Sequence, residues 1–349
     1  GMRDVLDAHA ADQTPPPLHL IRACFRLAGV DAEILQRAIL QRRWEVGYSG
    51  SYTRSLQATS LLVTDKLAAM ALAPAQRLLP SGEDVKPLTY FSRETHIHRL
   101  PYSDRYVLIG LSYDLIPPTA SRRTYGESGG QEKNLPAFEL MAIPHEVGHF
   151  VYHNAGLKDG TTCLALGEGF RENPYGRWAE EIFADTYGCL VAGPLTALGL
   201  QALLATGDRA QIAVDDGEHP TPIVRPFVLS EILQELGRQR PDRYAFAQAI
   251  ESLDANWTGI LQRWGFEIVE RLEGGALRIA LPGPAGDYRE TVVNVTTVLG
   301  ALRPMIQAFV QNLLGSADLS PWAGAVDTDL SADIPWSRTD YGDLARYDD

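Results

Sequence analysis

The sequence predicts an α+β protein with a small antiparallel sheet near the middle of the chain and a mainly helical C-terminal half. Residues 88–116 contain short runs rich in β-branched and aromatic residues, which are typical of strands. After residue 136, apolar residues recur at helical spacing. Of the 349 residues, 45% are apolar and 21% are charged, as in a globular protein large enough for a sizeable core.

The N-terminal region, residues 1–85, is predicted to be mostly helical. Asp31 is expected to cap a helix that continues through residues 34–40, because an aspartate side chain accepts hydrogen bonds from a helix start. A second helix is expected over Ser55–Ala73. Pro74 is expected to end it, because proline lacks the N–H that continues a helix.

The middle and C-terminal elements follow from the same rules. Three short strands are expected around Thr89–Phe91, Thr95–His98 and Tyr106–Ile109. Helices are then expected over 137–155, 178–192, 195–206, 226–237, 242–264 and 289–314. Pro144 and Pro304 are expected to kink or interrupt the first and last of these helices. The Gly- and Pro-rich segment 274–288 is expected to separate the last helix from the body.

These elements predict three parts: a helical region over 1–85, one domain over 86–316 and an acidic tail over 317–349. The tail contains eight Asp and two Arg but no Glu or Lys, so it contributes −6 of the net charge of −13. Trp322 and Trp336 favour packing of part of this tail on the body, because disordered segments contain few aromatic residues. A solvated, disordered tail is the alternative.

The composition also excludes some classes of partner. The 31 Lys and Arg against 44 Asp and Glu argue against nucleic acids and anionic membranes, because phosphate binding needs positive charge. No segment approaches the roughly 20 apolar residues of a membrane span, and the first residues lack the layout of a signal peptide. Cys24, Cys163 and Cys189 are too scattered for a disulfide framework. We therefore expect a cytoplasmic protein whose oligomeric state is open.

The segment 144–150 contains the motif His145-Glu146-x-x-His149. Residues four apart lie on one face of a helix, so the two imidazoles form half of a tetrahedral zinc site. Glu146 projects from nearly the same side and is positioned to act as general base on a zinc-activated water. Gly148 is expected to leave room beside the metal. A surface helix with two unrelated histidines is the alternative.

A catalytic zinc site needs a third protein ligand, and the predicted helix 178–192 offers one. Glu181 and Asp185 are four residues apart, so they share a face. Glu181 can ligate zinc, and Asp185 can hold the second nitrogen of a ligand histidine. Glu180 is a competing ligand, although it has no acid four residues further on. In the alternative interpretation, these acids only solvate the helix surface.

The two motifs together, H-E-x-x-H at 145–149 and E-x-x-A-D at 181–185, resemble the gluzincin zinc metallopeptidases. The second motif is especially similar to the CAAX-protease-like branch of that group. The resemblance covers roughly residues 137–235. The chain lacks the membrane helices of that branch, and residues 1–85 and 240–349 match no part of it that we can name.

The resemblance implies that His145, His149 and Glu181 bind Zn²⁺ and that Glu146 activates water. It also implies a zincin-like fold, in which a sheet-bearing upper lobe and a helical lower lobe enclose the zinc cleft, with 86–316 as the metallopeptidase domain. The expected activity is hydrolysis of a peptide or protein substrate. A catalytically inactive zincin-fold regulatory or binding protein is the alternative from another class. A zinc enzyme acting on a non-peptide amide is a further one.

A third segment is similar to the His-Pro element, with its trailing Arg, that follows the second motif in the same branch. It consists of His219-Pro220 and Arg225. A cation or hydrogen-bond donor is needed to stabilise the oxyanion of a tetrahedral intermediate, and His219, Arg225 and Tyr187 are the candidates. Alternatively, His219 is an ordinary loop residue and Arg225 a surface charge ahead of a helix.

Other residues near these motifs give weaker predictions. His153 lies four residues after His149, and we expect it beside the metal ligands or on the surface, because Glu181 already fills a ligand position. His96 and His98 point to one face of a strand, which is either half-exposed or available for pairing with an extended peptide. The Gly-rich segment 156–177 is either a lid over the cleft or a plain connector.

Overall fold

The computed structural model divides the described residues into two compact units. One comprises the described residues of Gly1–Ala69 and Glu83–Leu135, and the other those of Met70–Gly82 and Pro136–Asp349. The predicted boundaries between residues 85 and 86 and between 316 and 317 stay predictions. The structure describes residues 8–11, 15, 17–46, 52–54, 56–80, 82, 85–93, 95–100, 103, 105–112, 140–206, 209, 211–214, 216–266, 276–282 and 288–318.

The described residues are mainly helical and include a three-stranded mixed sheet, in agreement with the predicted α+β class. The first unit contains the sheet and the start of the second helix. Its elements are α1 (Leu18–Leu40), β1 (Trp44–Val46), β2 (Tyr52–Arg54), α2 (Leu56–Leu72), β3 (Lys86–Ser92), β4 (His96–His98) and β5 (Tyr106–Ser112). Strands β1 and β2 pair with each other as an antiparallel two-stranded ribbon.

The three predicted strands exist, but the expectation of a purely antiparallel sheet was wrong. The strand order is β3-β5-β4, with β5 parallel to β3 and antiparallel to β4. Three consecutive strands that alternate in direction leave the first and third parallel. Because β5 lies between the other two, it pairs with β3 directly. Local sequence patterns indicate each strand but carry no information about this order.

The predicted helix cap at Asp31 was also wrong, because α1 begins at Leu18 and Asp31 lies inside it. Its side chain is only 1% exposed. His98 Nε2 donates to Asp31 Oδ1 at 2.6 Å, which gives the buried carboxylate a partner from the sheet. The same region of the first unit contains a core of Ala38, Tyr90, Leu100 and Leu108.

The second unit contains the remaining helices and a hairpin. Its elements are α3 (Ala142–Asn154), α4 (Cys163–Glu168), α5 (Ala179–Ala192), α6 (Pro194–Thr206), α7 (Arg225–Gln239), α8 (Ala247–Arg263), β6 (Ala276–Pro282), β7 (Tyr288–Asn294) and α9 (Val295–Ser316), with 3₁₀ turns at Ala73–Leu78 and Gly176–Trp178. Pro144 lies in the first turn of α3 and α9 continues through Pro304, so neither proline interrupts its helix.

The C-terminal part differs from the prediction at one point. Residues 276–282 and 288–294 form an antiparallel hairpin, where a linker and a helix start were expected. Helix α9 begins at Val295, and the Asn294 side chain caps it by accepting from Thr296 N. In the sequence, Leu277, Ile279 and Leu281 alternate at period two, as in a strand. The glycines and prolines of 274–288 nevertheless led to the prediction of a linker.

Three further findings concern predictions about the whole chain. None of the helices in the described part combines the length and apolar composition that a membrane crossing requires. None of the three cysteines, all of which lie among the described residues, forms a disulfide. At the start of the acidic tail, Asp318 N donates to Pro74 O and the Asp318 carboxylate pairs with Arg77. The rest of the tail, 319–349, lies outside the described residues.

Candidate metal centre

The centre is built on two helices, α3 and α5, whose backbones approach closely. A Cβ on Gly148 would lie 2.7 Å from Ala184 Cα and 2.9 Å from its carbonyl oxygen. Gly148 is therefore needed where α3 meets α5. The expectation that it only leaves room beside the metal missed this role. Helix α5 ends at Ala192 because Gly193 adopts φ +56°, a conformation that favours glycine.

Helix packing brings the three predicted metal ligands together. His145 Nε2 and His149 Nε2 are 3.1 Å apart. The Glu181 oxygens lie 3.3 Å from His149 Nε2 and 3.5 Å from His145 Nε2. Zinc bonds of ~2.0–2.2 Å in a tetrahedral site place neighbouring ligand atoms about 3.3–3.6 Å apart. The two Glu181 distances, each to a different oxygen, lie within this range, and the distance between the histidine nitrogens is slightly shorter. One ligand atom from each of the three residues lies within 4.8 Å of the others, so the group could hold a metal ion.

Asp185 lies where the sequence predicted, beside a ligand histidine. Its Oδ1 is 2.9 Å from His145 Nδ1, and the residue is 1% exposed. This contact directs His145 Nε2 toward the ligand cluster. Burial lowers the pKa of His145, but contacts with Asp185 and Glu181 outweigh it and raise the pKa to about 10. A metal ion bound at this imidazole would therefore displace a proton.

Glu180 performs the corresponding role for the other ligand histidine, which sequence reasoning did not assign to it. His149 Nδ1 donates to Glu180 Oε1 at 3.1 Å, and His153 Nε2 donates to the same oxygen at 2.8 Å. Burial opposes ionisation of Glu180, but these bonds hold the pKa of its carboxyl well below the usual range. His153 thus lies beside the ligands, one of the two predicted places. The four-residue repeat of histidines along α3 was the available signal.

Arg225 is a buried cation that contacts two acids of the centre. Its Nε and Nη2 donate to the two Asp185 oxygens at 2.9 and 2.8 Å, and Nη2 also donates to Glu181 Oε2 at 2.9 Å. Burial lowers the pKa of Arg225, but these two acids outweigh it and raise it above its usual range. In turn, although burial opposes it, Arg225 lowers the pKa of both carboxyls. The guanidinium is therefore bound to the acids of the centre and is not a surface charge.

Glu146 and Tyr187 have different environments. Glu146 is 8% exposed, and its charge lies close enough to Arg225 to contribute to the raised pKa of that side chain. Tyr187 is fully buried, and its hydroxyl donates to Ala71 O at 2.6 Å. Glu146 is therefore a buried acid that follows His145 in α3, while the Tyr187 hydroxyl donates to a backbone carbonyl.

His219 reaches the centre from the turn before α7. Its Nε2 lies 3.3 Å from Glu181 Oε1, and the side chain is 42% exposed. Asp216 holds it at two points, accepting from His219 Nδ1 at 2.6 Å and from His219 N at 2.8 Å. Burial opposes ionisation of Asp216, but these bonds lower the pKa of its carboxyl. Asp216 was not among the predicted site residues, although an acid three residues before a histidine in a Gly-containing turn is a usable signal.

The remaining candidates lie in other contacts. His96 Nε2 and the Tyr90 hydroxyl are 2.8 Å apart, and His98 binds the buried Asp31. The segment 156–177 contains the short helix α4, and Asn173 Nδ2 donates to Ala301 O within the same unit. Peptide pairing along β4 and a lid at 156–177 both stay predictions.

Comparisons with protein families, with curated proteins and with solved structures found no match for the chain. The gluzincin resemblance therefore depends on the two motifs alone. The geometry of the cluster is an independent observation, and it shows a group that fits a metal ion.

Proposed function

We propose that the chain is a zinc-dependent metallopeptidase of the gluzincin type. The observation that carries this proposal is the convergence of one ligand atom each from His145, His149 and Glu181 within 4.8 Å of one another, with Glu146 buried on the helix that carries both histidines. Two imidazoles and one carboxylate are the ligand set of catalytic zinc sites that keep a fourth position open. Four-ligand structural sites are richer in cysteine, and no cysteine belongs to this group.

Each residue of the centre has a distinct role in the proposed reaction. His145, His149 and Glu181 would hold the ion, while Asp185 and Glu180 orient the two imidazoles through their Nδ1 atoms. Zinc at such a site lowers the pKa of water toward neutrality and polarises a carbonyl group. Glu146 takes the proton from the attacking water and delivers it to the leaving amine.

Among the three oxyanion candidates, we favour His219. Arg225 already donates to Asp185 and Glu181, and the Tyr187 hydroxyl donates to Ala71 O. The His219 imidazole is anchored at Nδ1 by Asp216, so its Nε2 faces the cluster. In the protonated form this atom donates a hydrogen bond to developing negative charge.

Zinc content and peptide cleavage by the full-length chain test the proposal. The parent protein is expected to contain about one zinc per chain, and His149→Ala to lose it. Glu146→Gln is expected to keep zinc and to lose cleavage about 10²–10⁴-fold, because the general base is removed. The matched control is Glu251→Gln, an exposed acid on α8, which should retain full activity.

The outcomes separate the competing functions. A parent protein that purifies without zinc and does not take it up contradicts the metal site. Zinc binding without cleavage of any peptide in a broad library contradicts the peptidase and supports the inactive zinc-binding protein. Full activity of Glu146→Gln contradicts the assigned general base.

A further inference from the structure

Three histidines around Glu181 share one arrangement. The Nδ1 atoms of His145, His149 and His219 lie 2.9, 3.1 and 2.6 Å from carboxylate oxygens of Asp185, Glu180 and Asp216, respectively. Their Nε2 atoms lie 3.5, 3.3 and 3.3 Å from the Glu181 carboxylate. A carboxylate at Nδ1 is the usual partner of a metal-bound histidine, because it orients the ring and raises the basicity of Nε2.

His219 differs from the other two histidines in the element to which it belongs. His145 and His149 lie on a buried helix, whereas His219 follows an exposed turn in which Gly217 adopts φ +86°. The ligand atoms within 4.8 Å of one another are those of His145, His149 and Glu181, and His219 lies outside that group. To join these ligand atoms, His219 Nε2 would therefore have to move closer to the two helical histidines.

We propose that His219 is an exchangeable fourth ligand that closes the metal centre when no substrate is present. The inference rests on the proposed zinc site, and it concerns the one position that His145, His149 and Glu181 leave free. Its Nε2 already lies at the ligand-to-ligand distance of a zinc tetrahedron from Glu181 Oε1. Asp216 is the positioning residue, because it holds the Nδ1 proton and so leaves the Nε2 lone pair for the metal.

The two states of the turn differ in what they permit. With His219 Nε2 as fourth ligand, His145, His149, Glu181 and His219 would together hold the metal ion, and the centre would be latent because no position would be left for water. Withdrawal of the His219 imidazole would exchange one neutral ligand for one water, with no change in oxidation state. The displaced His219 is then available at the edge of the site for the oxyanion.

Histidine ring ¹⁵N NMR of the zinc-loaded full-length chain tests this directly, because it identifies which ring nitrogen binds the metal. We expect three histidines with zinc-bound Nε2 atoms in the parent protein and two in His219→Ala. Asp216→Ala should weaken zinc binding about 10-fold, the lower end for loss of an outer-shell partner. The matched control is His153→Ala, which removes a nearby imidazole that contacts Glu180 and should leave three zinc-bound histidines.

The possible results distinguish failure of the fourth-ligand proposal from failure of the proposed metallopeptidase function. Zinc bound by two histidines in both the parent and His219→Ala overturns the fourth ligand and leaves the metallopeptidase proposal standing. A parent protein that binds no zinc overturns both proposals. If His219→Ala does not fold, the number of zinc-bound histidines in the parent protein still decides between three and two.

Discussion

At the residue scale, Glu180 and Glu181 are neighbours in sequence with different roles. Glu181 presents both carboxylate oxygens to the two histidine Nε2 atoms, whereas Glu180 contacts the outer Nδ1 of His149. One helical residue corresponds to a rotation of about 100°, so adjacent side chains point in different directions. Which of the two becomes the ligand depends on how α5 is rotated against α3.

This division predicts the effect of removing Glu180. Glu180→Ala should lower zinc affinity about 10–100-fold, because His149 loses the carboxylate that orients its ring. Glu180→Gln should lower zinc affinity by a smaller factor, since its amide oxygen still accepts from His149 Nδ1. The measurement is zinc competition against a chelator of known affinity. Glu172→Ala, an exposed acid on the preceding segment, is the control. An equal loss in both alanine variants would contradict the role of Glu180.

At the scale of elements, the contact between α3 and α5 determines the geometry of the centre. Gly148 permits it, because its Cα lies against the backbone of Ala184. Gly188 serves a different contact, since a Cβ there would approach Thr196 Cγ2 of α6 to 2.8 Å. Helix α3 carries the two histidines and α5 carries Glu181, so a change in the distance between the helices separates the histidines from Glu181.

Gly148→Ala is therefore expected to lower the free energy of unfolding by about 1–3 kcal/mol and to weaken zinc binding. The added methyl group lies too close to the Ala184 backbone, so the helices must separate. The control is Gly300→Ala on α9, where nothing lies within 4 Å and alanine should stabilise the helix by about 0.5–1 kcal/mol. Denaturant unfolding and zinc titration measure both effects. A stable Gly148→Ala with unchanged zinc affinity would refute this account of the contact.

At the scale of the whole molecule, all residues of the metal centre belong to the second unit. This includes Met70–Gly82, whose Ala71 carbonyl accepts from Tyr187 and whose Leu78 carbonyl accepts from Gly156 N. The first unit has a polar contact of its own, the buried Asp31–His98 pair between α1 and β4. The two sets of interactions share no residue.

Asp31→Ala should therefore affect the first unit alone. Loss of a charge-assisted hydrogen bond that leaves His98 without its partner is expected to cost about 1.5–3 kcal/mol, seen as faster hydrogen exchange in α1. Zinc affinity should stay within about 2-fold, as for independent sites. Glu33→Ala on the same helix, which removes an exposed pair with Arg37, should cost less than about 0.5 kcal/mol. A parallel loss of zinc affinity in Asp31→Ala would show that the units are coupled.

Elements that depend on residues close together in the sequence were predicted correctly, whereas features that depend on contacts between distant segments were not. The helices over 178–192 and 195–206 were located to within a residue, because each has apolar periodicity and a Gly-Pro boundary between them. The hairpin at 276–294 and the parallel pairing of β3 with β5 were missed. Strand order depends on contacts between distant segments, and local composition contains no record of them.

The sequence by itself determined the chemistry of the centre: two imidazoles one turn apart on one helix, and acids one turn apart on another. This was possible because helical geometry places residues i and i+4 on one face, whatever surrounds the helix. Only the tertiary structure decided between Glu181 and Glu180 as the acid that faces both histidine Nε2 atoms, placed Glu180 at His149 Nδ1, and brought Arg225 and His219 to Glu181 from beyond residue 215. These roles depend on the packing of separate elements, which no local spacing specifies.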